Sequence, residues 1–81
     1  MTIRIRFYSY FKDLTGCSET ELDVPAGSSL KDLLSKLGEV FPRLAPMRSS
    51  TLMAVGVDYQ DRTYVLKTGD EVSLFPPVQG G

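Results

Sequence analysis

Val72-Ser73-Leu74-Phe75-Pro76-Pro77-Val78-Gln79-Gly80-Gly81 joins an alternating apolar run, a proline pair and a glycine pair in one short stretch. Val72 and Leu74 alternate with Ser73 and Phe75, which is the period of a half-buried strand. The proline after Phe75 biases that residue toward an extended conformation. Pro76 and Pro77 have no N–H to offer a ladder and favour the polyproline II form, so the strand is expected to end at Phe75. A domain over 1–75 and an extended tail over 76–81 follow from this. Pro76 to Gly81 reach about 20 Å at full extension, enough to thread into another protein's pocket. Gly80 and Gly81 lack Cβ atoms and leave a terminal carboxylate open on every side. That suits an acyl group that must be activated: condensation with the α-phosphate of ATP gives an acyl-adenylate, open to a sulfur or nitrogen nucleophile. A Gly-Gly end alone is a modest signal, arising by chance in roughly one chain in two hundred. The two prolines fixing its exit from a final strand are what a chance tail would not need.

Working outward, 81 residues with 42% apolar and 23% charged content make one globular domain. Nine Lys and Arg against ten Asp and Glu give a net charge of −1 without a basic run. That excludes the electrostatic footprint of a nucleic-acid binder. No apolar segment is long enough for a membrane span and the N-terminus alternates from Ile3, so a cytoplasmic protein is expected. The chain has no histidine and one cysteine. It therefore lacks the usual general base, the commonest metal ligand and any internal disulfide. Neither a glycine-rich phosphate loop nor metal-ligand spacing is present, so no cofactor, metal or ATP site of its own is expected, and the chain is not expected to be an enzyme on its own. Cys17 follows Gly16 in a turn without a histidine and reads as a bystander thiol.

Ile3, Ile5 and Phe7 alternate with Arg4, Arg6 and Tyr8, predicting a strand over about 2–9. Phe11 and Leu14, three apart and followed by Gly16, predict a short helical turn. Glu19 to Val24 is a second strand with Glu19, Glu21 and Asp23 on one face, where antiparallel pairing would set them beside Arg4 and Arg6. Ser29, with Asp32 three residues on, predicts a helix start. Leu30, Leu33, Leu34, Leu37, Val40 and Phe41 form its apolar stripe. Gly38 is expected to fray or shorten the last turn, and Pro42 to end it. Residues 43–50, with Pro46, read as a loop carrying solvated Arg43 and Arg48. Strands are predicted over 51–57, with Met53, Val55 and Val57 in phase, over 63–66 and over 71–75. A turn over 58–62 and the turn Lys67-Thr68-Gly69-Asp70 separate them. The order is ββαβββ, an α+β arrangement of about five strands and one main helix.

With this order, Thr68-Gly69-Asp70-Glu71-Val72 leading into Phe75-Pro76-Pro77-Val78-Gln79-Gly80-Gly81 resembles the small subunits of molybdopterin synthase over essentially the whole chain. The resemblance implies the ubiquitin-like β-grasp fold, a mixed sheet whose first and last strands run parallel side by side. It implies that Gly81 is adenylated by a ubiquitin-activating-type enzyme that uses ATP, and that sulfur from a donor then displaces AMP. The resulting thiocarboxylate would enter the large synthase subunit, in an assembly of two large and two small subunits. There it would give sulfur to cyclic pyranopterin monophosphate, building the molybdopterin dithiolene. Pro76, Pro77, Val78, Gln79 and Gly80 would thread the partner's active site. A thiamine-type sulfur carrier and a modifier joined to lysines through Gly81 share the fold and the activation chemistry. Such carriers are usually shorter and lack the Phe-Pro-Pro element. Members of the resembled family often carry asparagine after Ala-Val in the third strand; here Ala54-Val55-Gly56 departs from that and should change the following turn alone.

Strand parity gives the docking surface. If Val72 and Leu74 face the core, Ser73 and Phe75 face outward, and Phe75 should be exposed. The same parity in the first strand puts Tyr8 outward. Parallel pairing of first and last strands would then bring Tyr8 and Phe75 to the end where the tail leaves, with Tyr59 joining them. These aromatics are the candidate partner-binding residues.

Overall fold

The alternation at the N-terminus becomes β1 (Thr2–Phe7), with Ile3, Ile5 and Phe7 buried and the intervening side chains exposed. The computed structural model describes residues 1–77. The strand stops at Phe7, short of the expected end, because Ser9 takes a positive φ of 57° and turns the chain into a short helix, α1 (Phe11–Thr15). Gly16 ends α1 in the left-handed conformation and its N–H donates to the Lys12 carbonyl at 2.8 Å. β2 (Glu19–Asp23) then pairs antiparallel with β1, setting Arg4 opposite Glu21 and Arg6 opposite Glu19, the juxtaposition expected from the charges. Arg6 also reaches Glu71 at 2.9 Å. These pairs lie in solvent and contribute to register more than to stability.

Ser29 and Asp32 start α2 (Leu30–Val40) with the reciprocal bonds their spacing predicts: the Asp32 N–H donates to the Ser29 hydroxyl and the Ser29 N–H to the Asp32 carboxylate. Leu30, Leu33, Leu34 and Leu37 are buried against the sheet. Val40, expected on the same stripe, is 48% exposed, because the helix ends there and Phe41 leaves helical geometry. Phe41 turns back to meet Phe7 edge-on at 5.6 Å. Gly38 does not shorten the helix. A Cβ there would sit 3.5 Å from Ala45 Cβ and Arg48 Cδ, so the glycine lies where the following segment packs on α2. That segment, expected as a loop, is a 3-10 helix (Pro42–Ser50) anchored by buried Leu44. Pro42 supplies a preset φ at its start, and the Thr51 hydroxyl donates to the Met47 carbonyl at 2.7 Å near its end.

β3 (Leu52–Val55) is shorter than predicted. Val57 fits the alternation but is 95% exposed, because Gly56 has a φ of 61° and begins a tight hairpin into β4 (Asp58–Tyr59). Glycine and asparagine are the residues that most readily take this φ, and Gly56 takes it here. The fourth strand thus lies in the stretch read as a turn, and residues 63–66 are not a strand. β4 already occupies the free side of β3, so that segment packs along the start of α2 instead. It does so through one bridge between Ser29 and Val65 and bonds from Leu66 N–H to Ser28 O and from Leu30 N–H to Tyr64 O. Its apparent strand period survives as buried Leu66 beside half-buried Tyr64. Gly69, at φ 90°, makes the turn into β5 (Glu71–Phe75), with Asp70 N–H donating to Lys67 O at 3.0 Å.

β5 is central. The five-stranded sheet has the order β2-β1-β5-β3-β4, with β5 parallel to β1 and antiparallel to β3. Ile3, Ile5, Phe7, Met53, Val72 and Leu74 form the sheet side of a core closed by the leucines of α2. Counting strands and the main helix, the order is ββαβββ, as expected.

The cap offers a measurement with a definite sign. Bonds from Ser29 hold the Asp32 carboxyl below its ordinary value of 3.8. A lowered carboxyl stabilises the fold above that value and loses its contribution as pH falls through the folded-state value. Ser29→Ala should cost about 1 kcal/mol at neutral pH in chemical denaturation, while Asp32→Asn should lower stability at neutral pH by a difference from wild type that shrinks below pH ~4. Gly38→Ala should raise stability by about 0.5–1 kcal/mol, since the added methyl meets only ordinary contacts and helix propensity improves. A loss instead would show that the 3-10 segment needs a closer approach than the distances indicate.

Candidate functional site

The end of β5 is positioned from both sides. On one side Phe75 stands opposite Leu52 of β3; on the other, Tyr8 N–H donates to the Leu74 carbonyl at 3.2 Å, extending the parallel ladder past β1. The pairing with Leu52 keeps Phe75 in strand parity, without an inward bulge, so its ring lies on the sheet face away from α2. There it stacks on Tyr8 with centroids 4.7 Å apart and planes 15° from parallel. Tyr59, opposite Ala54 in β4, reaches the same place, its ring 6.0 Å from Phe75 at 57°. The three aromatics named from parity therefore meet at one end of the sheet. Phe75, expected to be exposed, is half-buried because Tyr8 and Tyr59 cover it, while they remain 38% and 68% exposed. Ser73, on the same face, is buried because β5 has a neighbour on each side.

Leu52 also lies at this end, 39% exposed, and sequence reasoning missed it. Only the register of β3 against β5, which no pattern in the sequence displays, assigns it to this place. A cleft of about 510 Å³ opens beside the cluster, lined by Thr51, Leu52, Tyr59, Gln60 and Arg62 among others. Pro76 and Pro77 follow directly and are half-buried. Val78, Gln79, Gly80 and Gly81 lie outside the described residues.

What this end supplies is an apolar platform with hydroxyl rims, suited to binding, with Asp61 and Arg62 at the edge of the adjoining cleft. Cys17 is half-buried beside Thr15, with Sγ 3.7 Å from the Thr15 hydroxyl. Among the described residues no group of His, Cys, Asp and Glu is arranged to hold a metal ion. Nor, among those residues, is any helix long and apolar enough to cross a membrane.

A mixed sheet with parallel first and last strands, one main helix packed across it and a terminal strand at its centre defines a ubiquitin-like β-grasp domain. The chain belongs to the ThiS family, whose model matches residues 5–81. The molybdopterin synthase sulfur carrier subunit of Arabidopsis thaliana is 29% identical over 79 residues, covering 98% of this chain and 82% of the relative. A chain of the complex of subunits 1 and 2 of the molybdopterin-converting factor from Helicobacter pylori superposes with a TM-score of 0.73 at 28% identity, covering all of both chains. SAMP1 from Haloferax volcanii superposes at 0.88 over all of both chains with 20% identity, which speaks for the fold alone. The resemblance to molybdopterin synthase small subunits drawn from the sequence is thereby borne out.

Stability measurements on neighbouring residues of β5 test the facing. Phe75→Ala should cost about 1 kcal/mol, the loss of a stacked pair at the surface. Leu74→Ala, emptying the core, should cost about 2–5 kcal/mol. Equal large losses in urea denaturation would place Phe75 in the core.

Proposed function

We propose that this chain is the sulfur-carrying small subunit of a molybdopterin synthase, and that it works by delivering Gly81 into other proteins. The observation that carries this reading is the extent of the family match, which runs through residue 81 and so takes in the proline and glycine pairs. The curated relatives bearing the sulfur carrier name and the two-subunit complex from Helicobacter pylori support it.

In this proposal the Gly81 carboxylate attacks the α-phosphate of ATP held by a ubiquitin-activating-type enzyme, releasing pyrophosphate and forming an acyl-adenylate. A sulfur nucleophile from the donor displaces AMP and leaves a thiocarboxylate. The tail, Pro76 to Gly81, then threads the large subunit's active site, where the sulfur passes to cyclic pyranopterin monophosphate and the carboxylate is restored. ATP and the catalytic groups belong to the partners, and the working assembly has two large and two small subunits in the cytoplasm. A chain without histidine suits this division of labour. The prolines limit the tail's freedom before binding, so less conformational entropy is lost on threading. Tyr8, Phe75 and Tyr59 anchor the root of the tail against the large subunit and the adenylating enzyme.

Incubating the chain with an adenylating enzyme, ATP and a sulfur donor should exchange one oxygen for sulfur in the intact mass. Conjugates with lysines would support a modifier instead, and transfer into thiamine precursors a thiamine-type carrier. Deleting Gly81, or adding one residue after it, should abolish the exchange and leave the circular dichroism spectrum unchanged. Wild-type exchange by the deletion variant would remove Gly81 as the acyl group. Phe75→Ala should weaken binding to the large subunit by about 2 kcal/mol or more, readable by calorimetry.

A further inference from the structure

A second cleft, of about 330 Å³, opens between α2 and the 3-10 helix and is lined by Lys31, Leu34, Ser35, Arg48, Ser49 and Arg62. Three side chains from three separate parts of the sequence bring positive charge to it, and the two serines add hydroxyls. No acid lines it. The nearest acids in sequence lie outside its lining: Asp32 is bonded with Ser29, and Asp61, which accepts from the N–H and hydroxyl of Thr63, lines the adjoining cleft. Among the described residues the ion pairs involve only Arg4 and Arg6, so Lys31, Arg48 and Arg62 make none. Neutral carbonyls orient the two guanidinium groups without discharging them. Arg48 Nε donates to Ala45 O at 3.3 Å, and Arg62 Nη2 donates to the carbonyls of Arg48 and of Thr51. A concentrated, pre-oriented positive charge on a chain of net charge −1 is a local field that favours an anionic partner surface.

Its location ties it to a partner that takes the tail. Arg62 lines both this cleft and the one that holds Leu52 and Tyr59, and Tyr59 touches Phe75 where the tail begins. The basic cleft is thus continuous, through a single arginine, with the root of the tail. We propose that the basic cleft is the outer part of the surface used by the large subunit that receives the tail, and that it takes an acidic, Asp- and Glu-rich segment of that subunit. Aromatic contacts at the root hold the complex, while the cleft attracts and orients it during approach. This rests on the tail-delivery reading above.

Stopped-flow association with the large synthase subunit from the same source tests it. For wild type, the association rate should rise steeply as ionic strength falls. Lys31→Glu and Arg48→Glu should each lower that rate about tenfold at low salt, flatten its salt dependence and leave dissociation nearly unchanged. Lys67→Glu, an identical change of net charge at the far end of β5, should associate like wild type. Arg48→Gln, which removes the charge without reversing it, should give a smaller loss of about threefold. Unfolding midpoints on all four variants confirm folded protein. If Lys31→Glu and Arg48→Glu associate no more slowly than Lys67→Glu, the cleft is not part of the interface. If inorganic phosphate slows wild-type association no more than chloride at equal ionic strength, an extended acidic segment is supported. A specific block by phosphate would assign the cleft to a small anion and overturn the proposal. Failure of wild type to form any complex would instead bring down the tail-delivery reading, and this inference with it.

Discussion

The parallel pairing of β1 with β5 is the constraint on which the remaining structure depends. Parallel neighbours cannot be joined by a turn, so everything between Phe7 and Glu71 serves as one long connection that must cross the sheet and return. The β2 hairpin partner, α2, the 3-10 segment and the β3–β4 hairpin all lie within it. α2 crosses the inner face and supplies four leucines to the core; the β3–β4 hairpin closes the other side of β5. The same pairing fixes the position of Tyr8 next to Phe75, so the aromatic platform is a direct product of register.

Period-2 and period-3.6 patterns were legible wherever the elements are long enough to repeat. Ile3-Ile5-Phe7, the acid face of β2, the leucine stripe and the Ser29–Asp32 box all read correctly, because each pattern lies within one element and one environment. The third strand read too long because Gly56 interrupts an alternation that continues in type but not in space: Val57 keeps the phase and points into water. β4, at Asp58–Tyr59, is held by the hairpin turn and carries no pattern of its own. Conversely, Tyr64 and Leu66 alternate because they pack against α2, a neighbour whose demand for apolar side chains imitates that of a strand. Pro42 and Pro46 signalled a loop, yet the 3-10 geometry accommodates both and lets Leu44 reach the core.

The candidate site was legible to the extent that strand parity carries across a sheet. Tyr8 and Phe75 followed from two alternations and one assumed pairing, and Tyr59 joined them through a strand the sequence did not reveal. Leu52 and the cluster of Lys31, Arg48 and Arg62 were invisible, because nothing in a sequence marks residues that share a place only after the chain has crossed the sheet twice. Charge counted along the chain averages to near neutrality; charge counted over the surface does not.

The central position of β5 has a bearing on how the chain is made. Of the five described strands β5 is synthesised last, yet it is the strand that joins the β1–β2 pair to the β3–β4 hairpin, and Val72 and Leu74 complete the core. Without β5 the sheet has no strand between β1 and β3, and the core lacks Val72 and Leu74. A prematurely released product therefore lacks its organising strand and exposes sticky surface to proteases and chaperones. A copy cut before or within β5 fails at the stage of folding, whereas one cut after Phe75 keeps all five strands.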